Sequence, residues 1–264
     1  AETGQATGFK QNGSIGVALN EERFEEFKRS AAMGRAFGVD AEVISPAEIR
    51  QRYPLLEMQG VVGGVWMPND GQTNPVDTTM AFAKGARQLG VRILEDIEVT
   101  RVLTENGRAC GVSTRQGEIR AGTVVLAAGM WSHELARPLG IRLPLHAAEH
   151  FYAVTEAVAG VASNLPVLRV PDECSYIKEE AGKLLIGAFE TEAKPWGMQG
   201  ISPSFCFDSL PDDLDHFMPV LEQAMVRVPV LANTGIATWF NGPESFTPDD
   251  RYLLGPSAEV ADLF

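Results

Sequence analysis

Apolar residues recur at two spacings along the chain, and the switches between those spacings outline its elements. Ser14 to Leu19 has the two-residue period of a strand. Asn20 precedes a run with acids in its first turn and with Phe24, Phe27, Ala31 and Gly34 on one face. That pattern predicts a helix from Glu21 to Phe37, ended by Gly38. Ser45-Pro-Ala-Glu48 is a capping box with proline at the first helical position, so a short helix stops before Pro54. Val61 to Met67 reads as a strand interrupted by Gly63 and Gly64, which implies either a bulge or a close neighbour. Asn74 and Pro75 open a helix to Leu89, whose small buried side, Ala83 and Ala86, suits close packing on a sheet.

Val91 to Leu94 begins a meander. Val99 to Leu103 alternates, Asn106-Gly107 is a two-residue hairpin turn, Cys110 to Thr114 returns, and Gln116-Gly117 turns again into Glu118 to Arg120. The meander leads to Thr123-Val-Val-Leu-Ala-Ala-Gly-Met-Trp-Ser132. Val124 to Leu126 is a continuous apolar run, as expected of a strand buried on both faces. Ala127, Ala128 and Gly129 let another group approach the backbone, and Ser132 is placed to cap a helix from His133 to Leu139 that ends at Gly140. This strand, turn and helix start fits a phosphate or an aromatic cofactor, and it equally fits a tight turn with no ligand.

Beyond Gly140 the pattern changes. Phe151 to Thr155, Val167 to Val170, Ser175 to Lys178 and Leu184 to Phe189 are consecutive strands without helices between them, with a hairpin turn at Ala181-Gly182. Such a run implies an antiparallel sheet. A helix follows from Asp213 to Arg227, with Phe217, Leu221, Met225 and Val228 inward; Pro219 kinks it or marks its start. Ile236 to Phe240 is a further strand that Asn241-Gly-Pro243 should break, Tyr252 to Leu254 is a short one, and Glu259 to Phe264 looks like the start of another.

Composition adds mainly exclusions. The chain has 264 residues, 45% hydrophobic and 22% charged, which is ordinary for a folded domain or two. A net charge of −13 argues against nucleic acid as a partner. No apolar run is long enough for a bilayer span, so no membrane insertion is expected. Cys110, Cys174 and Cys206 are widely spaced and odd in number, which points to reduced thiols rather than a disulfide framework or a zinc site. The four His residues have no metal-ligand spacing, so no metal is expected. A Gly-x-Gly-x-x-Gly fingerprint is also missing; Gly60-Val-Val-Gly63-Gly64 is the nearest cluster.

Several motifs fall in one order: Tyr53-Pro-Leu-Leu, Pro68-Asn-Asp-Gly-Gln-Thr-Asn-Pro-Val-Asp77, Ala127-Ala-Gly129, Glu149-His-Phe-Tyr-Ala-Val-Thr-Glu156 and Asn241-Gly-Pro-Glu-Ser-Phe-Thr-Pro-Asp249. In that order the chain resembles, over nearly its whole length, the dimethylglycine dehydrogenase and sarcosine dehydrogenase family of FAD-dependent amine oxidoreductases. The resemblance implies a mixed α+β and α/β fold: part of a glutathione-reductase-like FAD-binding domain, with a mainly antiparallel substrate-binding sheet flanked by helices. It assigns residues 1–60 and 141–250 to the substrate-binding domain, and 61–140 and 251–264 to parts of the FAD-binding domain. Members of that family carry the glycine fingerprint upstream, so the expectation is an internal fragment, inactive by itself and without FAD until joined to the rest. The implied activity is oxidative demethylation of a small N-methyl amino acid, with an unspecified electron acceptor, in the bacterial cytoplasm or the mitochondrial matrix. Tetrahydrofolate could serve through a C-terminal domain outside these residues. The same wider family contains the regulatory subunit of pyruvate dehydrogenase phosphatase, so a non-catalytic regulatory module is the alternative.

Amine oxidation needs a neutral amine beside the flavin, and a His or Tyr on the substrate sheet suits that task. His150 and Tyr176 are the catalytic candidates; a satisfied core histidine and an ordinary sheet aromatic are the plainer readings of the same residues. Tyr152 shares the strand face of His150 and is assigned to substrate with Arg251, whose guanidinium fork suits a carboxylate. Val99, Ala127, Ala128, Gly129, Trp131, Gly242 and Pro243 are the expected cofactor contacts.

Overall fold

The computed structural model describes residues 2–264. In chain order its elements are β1 (Ser14–Ala18), α1 (Glu21–Ala36), β2 (Glu42–Ile44), α2 (Pro46–Arg52), β3 (Gly63–Met67), α3 (Pro75–Gln88), β4 (Val99–Glu105), β5 (Arg108–Thr114) and β6 (Gly117–Arg120). There follow α4 (Ser132–Ala136), β7 (His146–Thr155), β8 (Val167–Val170), β9 (Ser175–Glu180), β10 (Lys183–Ala188), α5 (Leu214–Arg227) and β11 (Ile236–Phe246). The strands form an eight-stranded sheet in the order β11-β7-β10-β9-β8-β1-β3-β2 and a separate three-stranded meander β4-β5-β6. Within the large sheet β8 and β1 run parallel, while β7, β10, β9 and β8 pair antiparallel in turn.

Two compact units divide the chain. The first contains the residues up to Val91, His150–Glu192 and Pro211–Asn241; the second contains Arg92–Glu149, Ala193–Leu210 and Gly242–Phe264. The domains implied by the resemblance have their bounds at 60/61, 140/141 and 250/251; these compact units are a different division of the chain. β3 pairs with both β1 and β2 and so lies in the large sheet of the first unit.

The first unit is built on one closed face of its sheet. Ile15, Val17, Phe151, Ala153, Leu168, Ile177 and Ile186 are buried there, against Ile49 and Tyr53 from around α2 and Phe217, Leu221 and Ala224 of α5. Asn20 caps α1 through the Arg23 N–H at 2.8 Å, and Ser45 and Glu48 complete the expected capping box. The paired glycines of β3 mark close neighbours, because β1 and β3 pair without a bulge from Ser14↔Met67 to Ala18↔Gly63. A Cβ at Gly63 would fall 2.5 Å from the Phe24 ring, and one at Gly64 would fall 2.4 Å from the Gly16 carbonyl oxygen. In the second unit Asn106 and Gly107 have φ of 52° and 76°, as a tight hairpin turn requires.

Several expected elements differ. Val124 to Leu126 is not a strand buried on both faces. Val124 makes an isolated parallel bridge to Leu263, with N–H groups of Val124 and Leu126 donating to Asp262 and Phe264, and Val125 is exposed. One neighbouring segment satisfies one edge only. Glu259 to Phe264 correspondingly contributes bridges rather than a strand. Ser132 does not cap the helix; its Oγ accepts the Ala128 N–H at 3.2 Å and holds the turn Gly129–Trp131 ahead of α4. Helix α3 forms, but none of its residues is buried, and Val76, Phe82 and Leu89 are exposed. A small helix face tells how close a partner could come, not that one is there. Val91 to Leu94 and Tyr252 to Leu254 are unpaired and largely exposed. Asn241-Gly-Pro243 does not break its strand: β11, an edge strand, continues to Phe246, and edge strands are where sheets tolerate proline. Pro219 lies inside α5; Ala224 is buried, and Met225 packs partly buried against the core.

Candidate active site

The first unit brings both catalytic candidates onto one sheet face. On β7, His150 and Tyr152 point away from the buried Phe151 and Ala153. Across the strands Tyr152 pairs with Gly187, Gly187 with Tyr176, and Tyr176 with Arg169. Gly187 is what allows this row. A Cβ there would lie 1.9 Å from the Tyr176 ring, so the ring occupies the space a side chain would have taken.

Phe189 ties the group together. Its ring centroid is 5.7 Å from that of His150 and 5.5 Å from that of Tyr176. His150 Nδ1 lies 3.2 Å from Glu190 Oε2, and the other oxygen of Glu190 accepts the Phe151 N–H at 3.2 Å. Both side chains are largely buried, so the carboxylate orients the imidazole. Tyr152 stacks on Phe240 at 4.7 Å. Burial, then the Glu180 carboxylate, pushes the Tyr152 hydroxyl above its ordinary value and keeps it protonated. Phe189, Glu190, Gly187 and Phe240 were not singled out from the sequence. Glu190 sits just past a strand end, where no periodicity marks it.

A hollow of about 800 Å³ lies within the second unit. It is lined by Leu126, Ala127, Gly129 and Ser132, by 244–247 and by 250–259. Gly129 has φ of 53°, and a Cβ there would meet open space. Small residues and an apolar wall suit the flat part of a flavin. Arg251 lines the same hollow and is exposed. Ala128 is half-buried at the turn; Trp131 is 39% exposed on it. Val99 opens β4 opposite Thr114, and Gly242 and Pro243 lie within β11; none of these three lines the hollow. Among the described residues no His, Cys, Asp and Glu group could hold a metal ion, and no helix is long and apolar enough to cross a membrane.

The mixed sheet, the aromatic and His-bearing face and the small-residue hollow define a flavin-type oxidoreductase fold. The chain matches the DAO model, FAD dependent oxidoreductase, over residues 1–264, and it belongs to that family. It is similar to human mitochondrial sarcosine dehydrogenase (37% identical over 268 residues, all of this chain and 29% of the relative). It is also similar to rat mitochondrial dimethylglycine dehydrogenase (35% over 271 residues, all of this chain and 32% of the relative). Among solved structures, L-proline dehydrogenase from P. horikoshii superposes with a TM-score of 0.84 at 27% identity, covering 99% of this chain and 67% of that one. The chain therefore spans about a third of the length of these curated relatives.

Proposed function

We propose that the chain is the substrate- and flavin-contacting part of an FAD-dependent dehydrogenase or oxidase that demethylates a small N-methyl amino acid of the sarcosine or dimethylglycine type. The observation that carries this reading is the sheet face on which His150, Tyr152 and Tyr176 gather around Gly187 and Phe189. The first unit then handles the substrate and the second contributes to the flavin site.

FAD, when bound, supplies the hydride acceptor. The residues of this chain prepare the amine. Glu190 orients the His150 imidazole, and His150 serves as the base that takes the proton of the substrate ammonium so that the neutral amine reacts. The Tyr176 hydroxyl orients the amine, and the stacked Tyr152 and Phe240 form an apolar wall that excludes water. Ala127 and Gly129 would hold the flat flavin ring. Release of the one-carbon unit to tetrahydrofolate belongs to the same reading.

The test is a panel of N-methyl amines mixed with the flavin-loaded protein, with bleaching of the flavin absorbance as readout. His150→Ala and Tyr176→Phe should each slow bleaching by about 10²-fold or more while flavin stays bound. Unchanged rates in both variants would remove the assignment. A purely regulatory role would leave the flavin oxidised with every amine.

A further inference from the structure

The reactive face needs a cation for its substrate's carboxylate, and the sequence offers Arg251. Arg251 lies in the second unit. On the sheet face itself stands another arginine. Arg169 is the cross-strand partner of Tyr176 on β8, between the buried Leu168 and Val170. Its guanidinium lies over the Phe189 ring, 5.4 Å from the centroid. His150 and Tyr176 meet the same ring.

Its neighbours leave Arg169 uncommitted. Asp172, three residues on, is held by Arg23 Nε at 3.1 Å and accepts the Leu19 N–H at 3.0 Å. Glu173 is held by Arg227 at 2.6 Å. Lys178, the other cation on this side of β9, is paired with Glu180 at 2.7 Å. Among the described residues no carboxylate lies within ion-pair distance of Arg169. A guanidinium set on an aromatic face keeps its planar fork oriented and free for a carboxylate.

We infer that Arg169 is the carboxylate-recognising residue of this site and makes it select N-methyl amino acids over N-methyl amines that lack a carboxylate. The inference rests on the function proposed above. In that arrangement His150, held by Glu190, receives the amine end, Phe189 lies under the middle of the substrate, and Arg169 receives the carboxylate.

The test uses Arg169→Gln and Arg169→Lys in the flavin-loaded protein with two readouts. The first is the calorimetric affinity for 2-furoate, an unreactive carboxylate, and for furfuryl alcohol, which has the same ring without the charge. The second is KM for sarcosine against KM for dimethylamine. Arg169→Gln should weaken 2-furoate and raise the sarcosine KM by about tenfold or more, and leave furfuryl alcohol and dimethylamine unchanged. Arg169→Lys should fall between, because it keeps the charge and loses the fork. Equal losses for charged and uncharged ligands, an unchanged sarcosine KM, or no 2-furoate binding by the wild type would overturn the inference. If 2-furoate binding depends on Arg169 but no N-methyl amine reduces the flavin, the proposed function falls and the carboxylate site stands. If sarcosine is oxidised with the same KM in Arg169→Gln, the function stands and the assignment falls.

Discussion

The two faces of the eight-stranded sheet are made by alternate residues of the same strands, and they are built for different ends. Across five strands Ala153, Ile186, Ile177, Leu168 and Ile15 stand in register, and none exposes any surface. One residue along each strand, the row reads Tyr152, Gly187, Tyr176, Arg169 and Gly16. On that second face Gly16 is covered by Phe27 of α1, while Tyr152 and Tyr176 are half-buried and Arg169 is exposed. The first row supplies stability through burial. The second spends little apolar area and keeps polar groups at a rigid, reachable surface, as a reaction site needs.

The sharpest way to break this contrast is to truncate each row. Ile177→Ala removes a fully buried side chain and should cost about 2–5 kcal/mol, read as a lower midpoint in urea. A loss as small as that of an exposed substitution would mean that the closed face is not the core. Gly187→Ala tests the other row. The added methyl cannot coexist with the present Tyr176 ring, but that ring can swing outward. The expected outcome is amine oxidation slowed by about tenfold or more with a stability change within about 1 kcal/mol. Full activity in Gly187→Ala would show that the position of Tyr176 does not matter.

The smallest effect concerns a buried acid on the closed face. Glu179 is 1% exposed and receives Lys10 Nζ at 2.7 Å and the Gly182 N–H at 2.8 Å. Burial pushes its carboxyl up, but the Lys10 and Gly182 hydrogen bonds and the nearby lysine charges outweigh that and leave it below the ordinary value of 4.5. A folded value that is lowered contributes stability above the unfolded pKa, and that contribution is lost as pH falls through the folded one. Lys10→Met should therefore lower the melting temperature by a constant amount at neutral pH. The gap should close as pH drops below about 4.5. A gap that stays constant into acid would remove the charge pairing as its cause.

Much of this was legible beforehand, for local reasons. Asn20, Ser45 and Asn74 satisfy their own helix starts, and Asn106-Gly107 sets its own hairpin, so no distant partner is needed. The ordered motifs were enough to reach the DAO family, to which the chain belongs. What failed depended on partners. Val124 to Leu126 has the apolar run of a central strand but only one bridging neighbour, and α3 has a packing face without buried residues. Pro243 looked like a strand breaker, but it lies in an edge strand, where sheets tolerate proline.

By itself the amino-acid sequence determined the caps, the turns, the meander and the alternation that sends His150, Tyr152, Tyr176 and Arg169 to one side of their strands, because each is set within a few bonds of backbone. Only the tertiary structure decided that Tyr152, Tyr176 and Arg169, from three separate strands, share one row, and that His150, Tyr176 and Arg169 meet the Phe189 ring. Register between strands depends on pairings made far along the chain, and it was Gly187, a residue with no side chain to notice, that left room for them.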